Sequence, residues 1–226
     1  MDPVLLDFPF TGRWTVQNSP ANRVPSHGTR LFGTAYAIDF VAVDAHGRSA
    51  PPSFRAVFGT EAPENFAGFG VPVLAPAAGT VTAVHDGEPD HEARRSPFAL
   101  AGYALTQRER VRRGAAGIAG NHVVLATGSG EDRAYILLAH LRRGSTAVAV
   151  GDTVRPGTFV GECGNSGNST EPHVHLQACD SMDWERARGL PLAFRHPQTG
   201  MPWLPRNRDI LEAGSAGMGA PASPAT

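Results

Sequence analysis

The stretch Gly164-Asn165-Ser166-Gly167-Asn168-Ser169-Thr170-Glu171-Pro172-His173-Val174-His175-Leu176 sets two histidines one residue apart behind a glycine-rich turn. In a β-strand, residues i and i+2 point to one face, so His173 and His175 would present two imidazoles side by side. Val174 and Leu176 would then enter the core from the opposite face, an alternation that predicts a strand rather than a helix. Two readings of the pair stay open on this stretch alone: an exposed polar strand edge, or part of a metal site.

Two further segments bear on the choice. Tyr135-Ile136-Leu137-Leu138-Ala139-His140-Leu141 is an apolar run of strand character with one histidine in it, and Tyr36-Ala37-Ile38-Asp39-Phe40-Val41 is the same kind of run with one carboxylate. A lone histidine in such a strand is more often a satisfied core residue, and a lone aspartate more often a turn or cap residue. An ionised aspartate inside an apolar strand, however, costs several kcal/mol unless it is paired or bound to a cation. Zinc would satisfy it, since a catalytic zinc takes three protein ligands from His and Asp/Glu and leaves one position open.

Taken in order, the segments resemble the lysostaphin-like zinc metallopeptidases, the peptidase M23 or LytM-type family, which hydrolyse peptide bonds of bacterial peptidoglycan. Tyr36 to Phe40 is similar to the family's aspartate strand, Val73-Leu74-Ala75-Pro76-Ala77-Ala78-Gly79-Thr80-Val81 to a following hairpin, and Gly120-Asn121-His122-Val123-Val124-Leu125 to a Gly-Asn-aromatic-Val strand. Leu138-Ala139-His140-Leu141, Val150-Gly151-Asp152-Thr153-Val154-Arg155-Pro156-Gly157 and the run from Gly164 to Leu176 complete the resemblance, which covers residues from about 36 to 178. It implies a mostly β fold, an antiparallel β-sheet groove of the duplicated-hybrid-motif type with loop and short helical insertions. It also implies Asp39 and His175 as zinc ligands, and His140 and His173 as two unliganded catalytic histidines.

One departure matters. The family's first zinc-binding histidine stands four residues before the aspartate, and that position is Ala35 here. One Asp and one His would bind zinc poorly, which argues for a degenerate, non-hydrolytic domain. The persistence of His140, His173, His175 and Asp39 argues against it, because nothing in folding requires four buried polar groups around an empty site. His27 offers a substitute: a hairpin turning near Leu31 would set it opposite Ala35, with Cβ atoms about 4.5–5.5 Å apart. The other reading of His27 is a polar loop residue after Pro25 and Ser26.

Of the remaining histidines, His122 reads as a strand-surface residue or a groove-lining one, His85 and His91 as flanks of a solvated turn, and His46 and His196 as surface residues. Cys163 and Cys179 bracket the histidine strand, where they would be either a disulfide or buried free thiols. A net charge of −1 gives no electrostatic reason to expect nucleic acid as a partner. No apolar stretch of membrane-spanning length occurs. Met1-Asp2-Pro3-Val4 lacks the basic start of a signal peptide, which favours the cytoplasm, whereas the resemblance favours a site of action outside it.

Along the chain, residues 1–30 read as an extended lead-in anchored by Trp14 and Val16, and 31–210 as the peptidase-like domain with insertions at about 44–68 and 86–119. Ala104 to Arg113 has helix-forming composition with Gly114 as a stop. Residues 211–226 read as a disordered tail. Two functions follow: a zinc endopeptidase acting on peptidoglycan cross-links or stem peptides, or a catalytically degenerate relative that binds cell-wall peptides or a partner amidase.

Overall fold

The computed structural model describes residues 2–96 and 114–214. Its strands, in chain order, are β1 (Val4–Leu6), β2 (Gly12–Gln17), β3 (Ile38–Ala42), β4 (Pro72–Leu74), β5 (Gly79–His85), β6 (Asn121–Thr127), β7 (Ala134–Leu141), β8 (Thr153–Val154), β9 (Phe159–Glu162), β10 (Val174–Cys179), β11 (Leu192–Arg195), β12 (Pro202–Trp203) and β13 (Ile210–Ala213). Among the described residues, two short α-helices, α1 (Arg55–Phe58) and α2 (Gly114–Ala119), lie in the two insertions. The fold is mostly β, as expected. Eight strands form one antiparallel sheet in the order β13-β2-β3-β10-β7-β6-β5-β8. Smaller sheets, β1-β11-β12 and β4-β9, accompany it.

Side-chain alternation divides the large sheet into two working faces. Ile38 and Phe40 of β3, Val123 and Leu125 of β6, Ile136 and Leu138 of β7, and Val174 and Leu176 of β10 enter one core with Leu6, Phe194, Val73 and Val160 of the small sheets. That face is closed by apolar burial, at about 25 cal/mol for each Å² removed from water. Residues of opposite parity, among them Asp39, Leu137, Ala139, His175 and Gln177, line a cavity of about 620 Å³ on the other face.

His140 breaks this parity. Two residues after Leu138, it would fall on the core face. Between β6 and β7, however, Val123 pairs with Leu138 and Asn121 with Leu141, so Ala139 and His140 together oppose His122. This bulge, with His140 in the left-handed region at φ 63°, turns the imidazole into the cavity and returns Leu141 to the core.

The glycine-rich run holds the bulge from beneath. Gly164 N–H donates to His140 O at 3.0 Å, and Ser166 Oγ donates to Leu141 O at 2.8 Å. Asn168 N–H donates to Ile118 O at 2.8 Å. The backbones approach so closely that a Cβ on Gly167 would lie 2.4 Å from Gly120 N.

Several boundaries differ from the sequence reading. Residues 1–30 are anchored by Trp14, 1% exposed, and Val16, and do more than lead in: β2 sits between β3 and β13 inside the large sheet. Residues 211–213 belong to β13, and Leu211 is buried, so the structured chain runs past the expected start of the tail. The 73–81 segment is not a hairpin, because β4 pairs with β9 while β5 pairs with β6 and β8. Nor does a hairpin form about Leu31: Leu31–Tyr36 is a kinked 3-10 segment with Phe32 and Gly33 at positive φ. The helix expected over 104–113, with its stop at Gly114, lies outside the described residues, and Gly114 itself stands within α2. No helix among the described residues is long and apolar enough to cross a membrane.

Gly120 tests the coupling between loop and bulge. At φ +61°, with Ser166 Oγ 2.5 Å from where a Cβ would stand, Gly120→Ala should destabilise the protein by about 1–3 kcal/mol. Denaturant titration of the variant measures this.

Candidate metal centre

Asp39 is the hub of the site. It lies in β3 directly opposite His175 of β10, and a bond of 2.9 Å joins its Oδ1 to His175 Nδ1. Its Oδ2 lies 3.0 Å from His27 Nε2 and accepts from Asn18 Nδ2 at 2.7 Å. His173 Nε2 stands 3.7 Å from Oδ1. Burial alone would push the Asp39 carboxyl up. The charges of His27 and His173 and the hydrogen bonds of His175 and His27 outweigh it, holding the group well below the usual carboxylate range. His175 shows the counterpart: burial pulls its pKa down, and the bond and charge of Asp39 raise it above its ordinary value.

One ligating atom each from His27, Asp39 and His175 lie within 4.8 Å of one another. Two imidazoles and a carboxylate suit a divalent metal such as zinc, and the outer bonds leave the right nitrogens free. Gln177 Nε2 donates to Phe32 O at 2.8 Å, so its Oε1 is the end that faces His175 Nε2 at 2.9 Å. A carboxamide oxygen only accepts, so His175 carries a proton on Nε2, and its Nδ1, which bonds Asp39 here, is the nitrogen that would ligate an ion. Ser26 Oγ, 3.0 Å from His27 Nδ1, orients the other ring. The residues fit the ion.

His27 arrives without β-pairing. Ser26 N–H donates to Ala35 O at 3.0 Å and Ser26 Oγ to Thr34 O at 3.3 Å, which ties the His27 loop to the 3-10 segment. Ala35 itself is 4% exposed and lies outside the cavity wall.

The two other predicted site residues complete the cluster. His140 Nδ1–H donates to Ser166 O at 2.9 Å, and His173 Nδ1–H donates to Glu171 O at 2.8 Å with Ser169 Oγ at 3.0 Å. A carbonyl cannot donate, so each neutral ring keeps its Nε2 lone pair free. The rings lie 4.7 Å apart between centroids. Burial, then the neighbouring His173 and His175, push the His140 pKa well below its ordinary value, which favours the neutral ring.

Two other histidines join the cavity, His122 as one of its two sequence readings had it. His85 is on β5 rather than in a solvated turn, and His122 is buried on β6; both line the cavity. His91 anchors the glycine-rich loop through Gly167 O at 3.0 Å. Cys163 and Cys179 are free and buried. The sequence reading passed over Asn18, Ser26 and Gln177. Only Gln177 carries a legible signal, since it follows His175 by two and shares its face.

Residues 101–184 match the model of Peptidase family M23. Over those residues the chain is similar to that family. The matched segment contains His140, His173 and His175, whereas His27 and Asp39 precede it. No curated protein matches. Among solved structures, the catalytic domain of lysostaphin from Staphylococcus simulans is similar at 19% identity over 68% of this chain and 74% of that one, with a TM-score of 0.38. A putative glycyl-glycine endopeptidase from Ruminococcus gnavus matches at 17% identity over 82% of this chain and 57% of that one, with a TM-score of 0.41. A zinc-containing peptidase from Vibrio cholerae matches at 16% identity, 68% of this chain and 48% of that one, TM-score 0.32. The chain thus spans about half the length of the latter two.

Three substitutions separate ligand from support at this site. Gln177→Leu should lower zinc affinity by about 10- to 100-fold by removing the acceptor that orients His175, read by competition with a chromogenic chelator. His27→Ala should lower it further, and Ala35→His in that background should not restore it, because the Ala35 side chain is buried away from the cavity.

Proposed function

We propose that this chain is a zinc-dependent endopeptidase that hydrolyses peptides of peptidoglycan cross-links or stems. The observation that carries the reading is the convergence of His27, Asp39 and His175 on one point, with the Nε2 lone pairs of His140 and His173 left free on the same cavity. Zinc, when bound there, would acidify a water and polarise a scissile carbonyl. His140, buried and neutral, is suited to take a proton at Nε2 and return it to the leaving amine. Glu171 O holds His173 Nδ1–H, so its Nε2, once protonated, would donate to the oxygen on which negative charge develops. The cavity, walled by apolar Leu31, Phe32, Ile118 and Trp184, limits water around the reacting groups. A peptidoglycan substrate would place the site of action outside the cytoplasmic membrane.

The alternative, a degenerate binding domain, rested on the missing donor at Ala35. His27 Nε2, 3.0 Å from Asp39, stands as the substitute donor and favours the enzyme.

Elemental analysis of the purified protein should give one zinc per chain, and purified peptidoglycan should release new amino termini on incubation. His140→Ala and His173→Ala should each retain the zinc and lose about 10²- to 10⁴-fold in rate. A zinc-loaded wild type inert toward peptidoglycan from several sources would leave the binding domain as the better reading.

A further inference from the structure

A single row of residues crosses the large sheet at right angles to its strands. Gln17 of β2 pairs with Asp39 of β3, Asp39 with His175 of β10, and His175 with Ala139 of β7. The bulge then sets Ala139 and His140 against His122 of β6, which pairs with His85 of β5. All six paired residues line the one cavity. With strands about 4.8 Å apart, His122 and His85 stand about 10 and 14 Å from His175 along this row. An extended peptide advances about 3.3 Å per residue. A chain lying along the row with its reacting bond at the metal site would therefore present a group about three or four residues away to the histidine pair.

The chemistry at that far end is one of acceptors. His122 Nδ1–H donates to Gly120 O at 2.7 Å, so the neutral ring offers its Nε2 lone pair, and no described residue bonds it. Burial and the neighbouring His85 lower the His122 pKa, which favours that neutral form. The His85 ring stacks 5.4 Å from it, and His85 Nε2 is buried without a hydrogen-bond partner. Glu88 Oε1 stands 3.5 Å from that nitrogen and brings a negative charge to the spot. Among the described residues, no arginine lines the cavity. The Nε2 lone pair of His122 and the Glu88 carboxylate are both acceptors, and together they call for a donor.

We propose that His85, His122 and Glu88 form a distal subsite that takes a protonated amino group of the substrate, about three or four residues from the bond that reacts. The proposal rests on the peptidase reading for its substrate but not for its measurement. That amine has two sources, a chain terminus or a side chain. A synthetic peptidoglycan stem peptide bearing an amine-carrying side chain is therefore prepared in free, α-acetylated and side-chain-acetylated forms, and titrated calorimetrically into metal-free wild-type protein.

The free peptide should bind about tenfold tighter than one of the two acetylated forms, which identifies the source. His122→Phe and the exposed change Glu88→Gln should each remove that preference, while His27→Ala should keep it. Equal affinity for all three forms, no binding of any, or a preference that survives both His122→Phe and Glu88→Gln would overturn the proposal. Peptidoglycan left uncut by a protein that retains the amine preference would instead overturn the peptidase reading alone.

Discussion

The buried carboxylate of Asp39 is the constraint around which the site is organised. At 5% exposure, an ion there is tolerated only because His27, His175 and Asn18 bond to it and His173 stands close. The partners come from two distant parts of the chain: Asn18 and His27 from the segment after β2, and His173 and His175 from the start of β10. Satisfying one carboxylate thus closes the contact between the amino-terminal strands and the centre of the sheet. A cation shared by His27, Asp39 and His175 would do the same electrostatic work with fewer protons.

Support for the site is built outward from this hub. Gln177 joins His175 to Phe32 O, and Gly33 packs so tightly there that a Cβ would lie 2.3 Å from Cys179 Sγ. Gln177 therefore couples β10, which carries His175, to the 3-10 segment that holds the His27 loop. On the other side of the cavity, Asn121 accepts from Gly87 and Glu88 N–H through Oδ1 and donates to Glu88 O and Leu141 O through Nδ2. That one buried amide ties the start of the second insertion to the strand that bears His140.

The two insertions are also latched to each other. Glu61 is buried and takes two bonds of 2.8 Å from Arg95 and one of 2.6 Å from Ser53. Arg95 in turn lies over the Phe66 ring. Charge-assisted, two-pronged pairing of this kind is strong and directional, so the segments 44–68 and 86–96 hold one another. The latch bears on the groove because the backbone next to it, Arg94 N–H to Thr170 O at 2.6 Å, reaches the turn that leads to His173.

The sequence by itself determined the polarity of the central strands. Ile38, Phe40, Val174 and Leu176 alternate with Asp39, His173 and His175, and a period of two admits only one assignment of faces, so Asp39 and His175 were legible as cavity residues. The glycine spacing of 164–167 likewise announced a turn, though not the backbone approaches that require those glycines. Three things only the tertiary structure decided. His140 has the parity of a core residue, and a bulge, set by register against β6 and by the loop beneath, moves it into the cavity. His27 lies twelve residues from Asp39 in a segment without periodicity, and its place follows from hydrogen bonds to the 3-10 segment rather than from strand pairing. The facing of His85 and His122 depends on the register between β5 and β6 across a long insertion. In each case what decides is which polar groups find partners when the chain closes on itself, and local patterns carry no record of it.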